Sequence, residues 1–240
     1  MLRFVALAAA AFLVILIAQF PASWCRRALP ADVQCRQLDG SLWSGRCDGL
    51  KAQQLALGNL TWHLHPLGLL RARLVADVQL IQGSAMLRGR FALGGGGRID
   101  AQDLDLSGLH LERFPSSQLP RGLHGVLWAQ FPTLRWSGSH FEALAGKLNV
   151  QGLALPGSPL GNYQLEFPAS APDALVGTLR DTGGPLRVEG DLRLLPAPGF
   201  ELNGRVAARA DAAPGLADEI RYLGSPDADG MRPFSFAATF

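Results

Sequence analysis

The chain reads as a mainly β protein: an N-terminal transmembrane helix, then a large antiparallel, curved or folded-over β-sheet domain carrying one short C-terminal helix. Three observations predict this. Phe4–Phe20 is an uncharged, almost wholly apolar run of 17 residues, and no second run like it follows. Beyond it, apolar and polar residues alternate in segment after segment, which is the pattern of strands with one dry and one wet face. Gly 28 and Pro 16 punctuate the sequence closely, as short strands and turns require.

The apolar run makes residues 1–23 the anchor. A helix of its length rises roughly 26 Å, close to a bilayer core. A cleaved export signal is the rival reading, since Arg3 and the amino terminus precede an apolar stretch. The exit Ala18-Gln19-Phe20-Pro21-Ala22-Ser23-Trp24 puts Phe20 or Pro21 where a small residue belongs before a cut, which favours a retained anchor. Trp24 then sits as an interfacial belt residue. Arg26 and Arg27 pull weakly toward a cytoplasmic domain, but long domains cross largely regardless of flanking charge.

The three cysteines, Cys25, Cys35 and Cys47, all fall near the start and speak for export. Cys35 and Cys47 flank a hairpin and face each other about Ser41, a candidate disulfide that persists only in an oxidising compartment such as a periplasm. Pairing of Cys25 with Cys35 or with another chain stays open, as does the reading of all three as small buried hydrophobes.

Strands follow in order. Leu70–Leu80, Leu104–Leu111 with a bulge at Gly108, and Leu148–Leu155 show period two. Leu186–Leu194 places charges at Arg187, Glu189, Asp191 and Arg193, with apolar residues at Leu186, Val188, Leu192 and Leu194. Phe200–Arg209 repeats the pattern after a Pro196–Gly199 turn too short for a parallel crossover. Phe234–Phe240 supplies a last strand. Between these, Ala213–Gly224 predicts the soluble helix, with Pro214 near its start, Gly224 past its end, and Leu216, Ile220 and Leu223 on one face. Residues 24–240 thus form one β-rich domain. Echoes of Gly40–Gly45 at Leu134–Gly138 and Gly125–Trp128 suggest two related sheet halves, about 24–125 and 126–240.

Chemistry is sparse. Lys plus Arg number 22 against 20 Asp plus Glu, a formal +2 that offers nothing to nucleic acid. His63 and His65 share a strand face, but His110, His124 and His140 are scattered, so a metal site lacks a third ligand. Gly94–Gly97 lacks the Lys-Ser or Lys-Thr of a phosphate loop and reads as a hairpin turn. Ser139, His140 and Glu142 are near in sequence, yet strand neighbours point to opposite sides and no nucleophile elbow exists. No catalytic, cofactor or metal residue is assigned, and the chain reads as a non-enzyme. Five tryptophans and 12 phenylalanines can serve as core or as a lining for lipid tails.

Three motifs carry a family resemblance. Gly40-Ser41-Leu42-Trp43-Ser44-Gly45, Leu60-Thr61-Trp62-His63-Leu64-His65-Pro66-Leu67-Gly68-Leu69-Leu70 and Leu223-Gly224-Ser225-Pro226-Asp227-Ala228-Asp229-Gly230, after an N-terminal anchor, resemble the protein N family of the bacterial type II secretion system. The resemblance spans nearly the whole chain. It implies a single-pass inner-membrane protein with its domain in the periplasm, an accessory part of the apparatus that exports folded proteins, without enzymatic activity or cofactor. Each motif also has a purely structural reading: Gly40 and Gly45 allow close approach around Trp43, Pro66 ends one strand before the next begins near Leu69, and Ser225-Pro226-Asp227 turns the chain into the last strand.

Two roles are compatible with the pattern. In the first, the domain assembles or scaffolds secretion partners through sheet edges or the dry face. In the second, a periplasmic lipid-binding or lipid-transfer protein presents that face to acyl chains. Whether the face carrying Val188, Leu192 and Leu202 is closed by protein or open along its length separates them.

Overall fold

The computed structural model describes residues 32–52, 55–114, 120–169, 175–196 and 199–239. The expected anchor over 1–23, with Trp24 and Cys25, lies outside them. Among the described residues no helix is long and apolar enough to cross a membrane.

One antiparallel sheet holds every strand: β1 (Val33–Gln34), β2 (Gln37–Gly40), β3 (Ser44–Ala52), β4 (Leu55–His65), β5 (Leu74–Gln82), β6 (Ala85–Leu93), β7 (Ile99–His110), β8 (His124–Trp136), β9 (Phe141–Leu155), β10 (Ser158–Phe167), β11 (Val176–Gly183), β12 (Leu186–Leu194), β13 (Gly199–Ala208) and β14 (Arg232–Thr239). From β3 to β14 each strand pairs with the next in sequence, a pure meander. Most of the links are too short for a parallel crossover, and the two long ones, β7 to β8 and β13 to β14, also return antiparallel. β1 and β2 both pair with β3, so together they make one interrupted edge strand. The helix α1 (Pro214–Arg221) crosses the dry face near the other edge.

The alternation is realised as two rows that run across the sheet, since directly opposed residues share a face. The wet row reads Asp39, Arg46, Thr61, Gln79, Arg88, Asp105, Gln130, Lys147, Glu166, Thr178, Asp191, Asn203, Ser235, one polar residue from every strand between β2 and β14. The adjacent dry row reads Leu38, Cys47, Leu60, Leu80, Leu87, Leu106, Ala129, Leu148, Leu165, Leu179, Gly190, Gly204, Phe234. Not one charge enters it. A one-residue slip would move the polar row, which is charged in most strands, onto the dry face, so the pattern specifies register strongly. Opposed pairs such as Arg88–Asp105 at 2.8 Å and Lys147–Glu166 at 3.1 Å reinforce that register while contributing little stability each.

Several expectations need correction. The strand expected to resume near Leu69 begins at Leu74, because Pro66–Arg71 winds a 3-10 turn that leaves Leu67 and Leu70 exposed. The first hairpin is centred between Leu42 and Trp43, since Gly40 opposes Gly45, and Cys47 faces Leu38 rather than Cys35. Gly40 and Gly45 do give the close backbone approach expected around Trp43, since a Cβ on Gly40 would meet the Ser44 carbonyl at 2.5 Å and the Gly45 Cα at 2.7 Å. The Trp62 ring lies over Gly45 as well, 2.5 Å from where a Cβ would stand, and Trp62 Nε1 donates to the Leu42 carbonyl at 3.0 Å. Two of the family-like motifs are thereby one cross-strand device. Helix α1 stops at Arg221, which leaves Leu223 exposed beyond the buried Leu216 and Ile220. The bulge at Gly108 is present, with φ 65°, between the Leu106 and Leu109 pairs.

The densest core lies under α1. Leu186, Val188 and Val206 of β12 and β13 are buried against Leu216 and Ile220, with Tyr163, Leu179 and Phe234 packed around them. Asp181 closes this patch: its carboxylate accepts from Val188 N at 2.8 Å and from Arg209 Nη2 at 2.5 Å, while Arg209 Nη1 donates to the Gly184 and Leu186 carbonyls.

Candidate functional site

The wet face holds His63 and His65 and a concavity of about 1030 Å³, lined by Asp39, Arg46, His63, Asp77 and Arg90 among others. His63 and His65 share that face with ring centroids 5.2 Å apart. Asp77 organises them: Oδ2 lies 2.7 Å from His65 Nε2 and Oδ1 accepts from Arg90 Nε at 2.8 Å. The Arg90 guanidinium, ahead of His65, holds the Asp77 carboxyl below the usual carboxylate range. This is a solvated charge network without a free ligand set. Among the described residues no group of three or more His, Cys, Asp or Glu is placed to hold a metal ion.

The Ser139, His140, Glu142 cluster does not assemble. Ser137 Oγ and Ser139 Oγ each lie 3.1 Å from His140 Nδ1, but Glu142 Oε1 accepts from Arg98 Nη2 at 3.0 Å, across the hairpin turn. Gly95–Gly97 makes a tight turn between β6 and β7 and opens no helix. Cys35 and Cys47 are joined, with Sγ atoms at 2.05 Å and Cα atoms at 5.8 Å, where the break between β1 and β2 turns Cys35 toward β3.

Two surfaces remain as candidates for binding. The first is the dry face. Under α1 it is closed, but from β4 to β10 the leucines of the row are only half-buried, and Leu74 and Leu93, opposed on the same face, are exposed. The question of closed core or open groove therefore has both answers in one sheet: Val188 is buried, while Leu192 and Leu202 are half-buried and Phe236 is 56% exposed.

The second surface is the edge. β1 and β2 offer short lengths broken at Cys35 and Arg36, a blunted edge. β14 is continuous over Arg232–Thr239 and pairs only on its β13 side among the described residues. Pro233 lacks an N–H, so it takes a position that points its nitrogen away from β13. By the two-residue period, Ser235, Ala237 and Thr239 then aim their backbone groups outward at the free edge. Sequence reading missed this polarity between edges because the break at Cys35–Arg36 has no compositional mark.

Comparisons with known proteins place this architecture. A family model described as "Type II secretion system (T2SS), protein N" matches residues 31–235. A protein of Vibrio cholerae serotype O1 (strain ATCC 39315 / El Tor Inaba N16961), named Type II secretion system protein N, is 26% identical over 224 residues, covering 86% of this chain and 85% of that protein. No solved structure matches. With the family match running from the first described strand into β14, the chain belongs to the protein N family of the type II secretion system.

Proposed function

We propose that this protein is a non-enzymatic accessory component of type II secretion that helps assemble or scaffold the envelope machinery, anchored in the inner membrane with its sheet in the periplasm. Its β14 edge is the docking point for an extended segment of another envelope component. The observation that carries this reading is the asymmetry of the edges among the described residues: one is broken and tied, the other is continuous and unpaired on its outer side. Strand addition needs only backbone groups for affinity, with alternate side chains for specificity, and it requires no catalytic residues. Family membership supplies the system in which the partner is sought.

Ala237→Pro tests it. The substitution removes an outward N–H without touching the β13 ladder, so the melting temperature and circular dichroism stay at wild-type values. Copurification of secretion subunits from native membranes, and export of a secreted substrate, both fall. Unchanged capture of those subunits by a folded Ala237→Pro protein would remove β14 as the docking point.

One observation favours a second reading, lipid binding on the dry face: the leucine row stays half-exposed between β4 and β10, with no described segment across it. Lipid mass spectrometry on the protein extracted in mild detergent separates the two. Stoichiometric phospholipid without secretion subunits selects the lipid role.

A further inference from the structure

At the hairpin end of β4–β7, the dry face deepens into a slot of about 210 Å³. Leu57, Leu80, Leu87, Leu106, Leu109 and Phe114 form its walls. Two polar side chains reach it. The Gln82 amide is occupied, donating to the Ala56 carbonyl. Arg113 is the one charged residue of the lining, and among the described residues its side chain has a backbone carbonyl and no carboxylate as partner. Its Nη1 donates to the Gln82 carbonyl at 2.8 Å, which fixes the guanidinium over the β5–β6 turn. Gly83 makes that position available: with φ 61° it suits the turn, and a Cβ there would meet the Arg113 Nη2 at 2.9 Å. The cations of the wet row, Arg46, Arg88 and Lys147, each face an acid instead.

Two features identify the occupant. The slot opens onto the leucine row, which continues through Ala129 and Leu148. From Leu80 to Leu148 the row crosses four strand spacings, roughly 19 Å. An acyl chain spans half of a bilayer core, roughly 15 Å. A planar cation at one end of an apolar path of that length complements an oxyanion joined to a hydrocarbon tail. We propose that the slot binds one acyl chain of an anionic phospholipid, with the headgroup phosphate on Arg113 and the second chain along the open row. The proposal rests on the lipid reading above and locates its site.

Full-length protein in phosphatidylcholine nanodiscs, carrying a minor fraction of phosphatidylglycerol with a photoactivatable acyl chain, is irradiated and its adducts are mapped by peptide mass spectrometry. Adducts fall on Leu80, Leu87, Leu106 and Leu109, with phosphatidylglycerol favoured roughly fivefold over an equally labelled phosphatidylcholine, the size of effect expected of a solvent-accessible charge pair. Arg113→Gln, an exposed site where folding is undisturbed, abolishes that preference, and Leu87→Trp, which fills the slot, displaces the adducts. If Arg113→Gln leaves both adduct positions and preference unchanged, the slot assignment is wrong although lipid still meets the dry face. If no adduct falls on the dry face, the lipid reading falls with it.

Discussion

Under α1, the dry face of β12 and β13 is a protein core; between β4 and β10, the same face of the same sheet is half open. Both regions have the same alternation and the same antiparallel pairing. The difference lies in the cover. Val188 and Val206 are 6% exposed because Leu216 and Ile220 sit on them, whereas Leu80, Leu87 and Leu148 lie outside that cluster and are only half-buried. Full burial of such a side chain contributes about 1.5–3 kcal/mol, and half-burial correspondingly less. The open region keeps its order through hydrogen-bonded length and a charge-marked register. The covered region adds a sealed core and the Asp181–Arg209 clamp.

A charge placed on each face breaks the comparison most sharply. Val188→Asp buries a carboxylate with no partner and costs about 4 kcal/mol or more, enough to unfold the C-terminal part. Leu87→Asp can turn its charge toward solvent and costs about 1–2 kcal/mol. Urea unfolding followed by circular dichroism reads both. Equal losses would mean that the open stretch is sealed by something other than α1.

How much of this was legible in the sequence differs between the regions for a physical reason. β12 was readable to its ends, since Leu186–Leu194 alternates without a bulge, and the helix was readable from Pro214, Leu216 and Ile220. In the open region bulges interrupt the period: Asp103 takes a positive φ of 51° in β7, and β8 slips against β9 around Pro132. Each shifts the parity of the residues after it, so a pattern read along one strand cannot reveal that its leucines join a row across the sheet. The Arg113 slot was invisible for the same reason, as its walls come from four strands and a turn. The contact between Ser139 and His140, 3.1 Å apart in the turn before β9, was not readable, because the divergence of neighbouring side chains holds only within a strand. Nor was the pairing of Glu142 with Arg98, 44 residues away.

The covalent tie at the N-terminal edge offers a smaller contrast. The Cys35–Cys47 bridge spans 12 residues and, on the chain-entropy account, stabilises by about 3 kcal/mol. It acts on the blunted edge, far in the sheet order from α1. Cys35→Ser with Cys47→Ser, or reduction, is expected to lower the urea midpoint and to raise hydrogen exchange in β1–β3 while β12 and β13 keep their protection. Thiol alkylation and mass measurement before reduction establish that the bridge exists in the purified protein. Exchange that rises uniformly through β13 would mean that the two regions unfold as one unit.

The finest test compares two carboxylates by pH and salt. Asp227 sits near the covered end, where Oδ1 accepts from Met231 N and Asp229 N, both at 2.9 Å, and Oδ2 accepts from Arg205 Nη1 at 2.8 Å. The Met231 amide is the leading cause of its lowered pKa, whereas Arg90 is the leading cause for Asp77 in the open region. Both values are depressed in the folded state. Each carboxylate therefore stabilises above its unfolded pKa of 3.8, and that stability is lost as pH falls through the lower folded value. The causes respond differently to salt, because an exposed ion pair is screened at ~1 M and a bond from a backbone amide is not. In melting curves taken down to pH ~2, Asp77→Asn should flatten the acid limb at low salt only, and Asp227→Asn at both salts. An Asp227→Asn effect that disappears in salt would show that the loop before β14 is held by Arg205 rather than by its own backbone, and the covered end would then owe its order to the same surface charges as the open one.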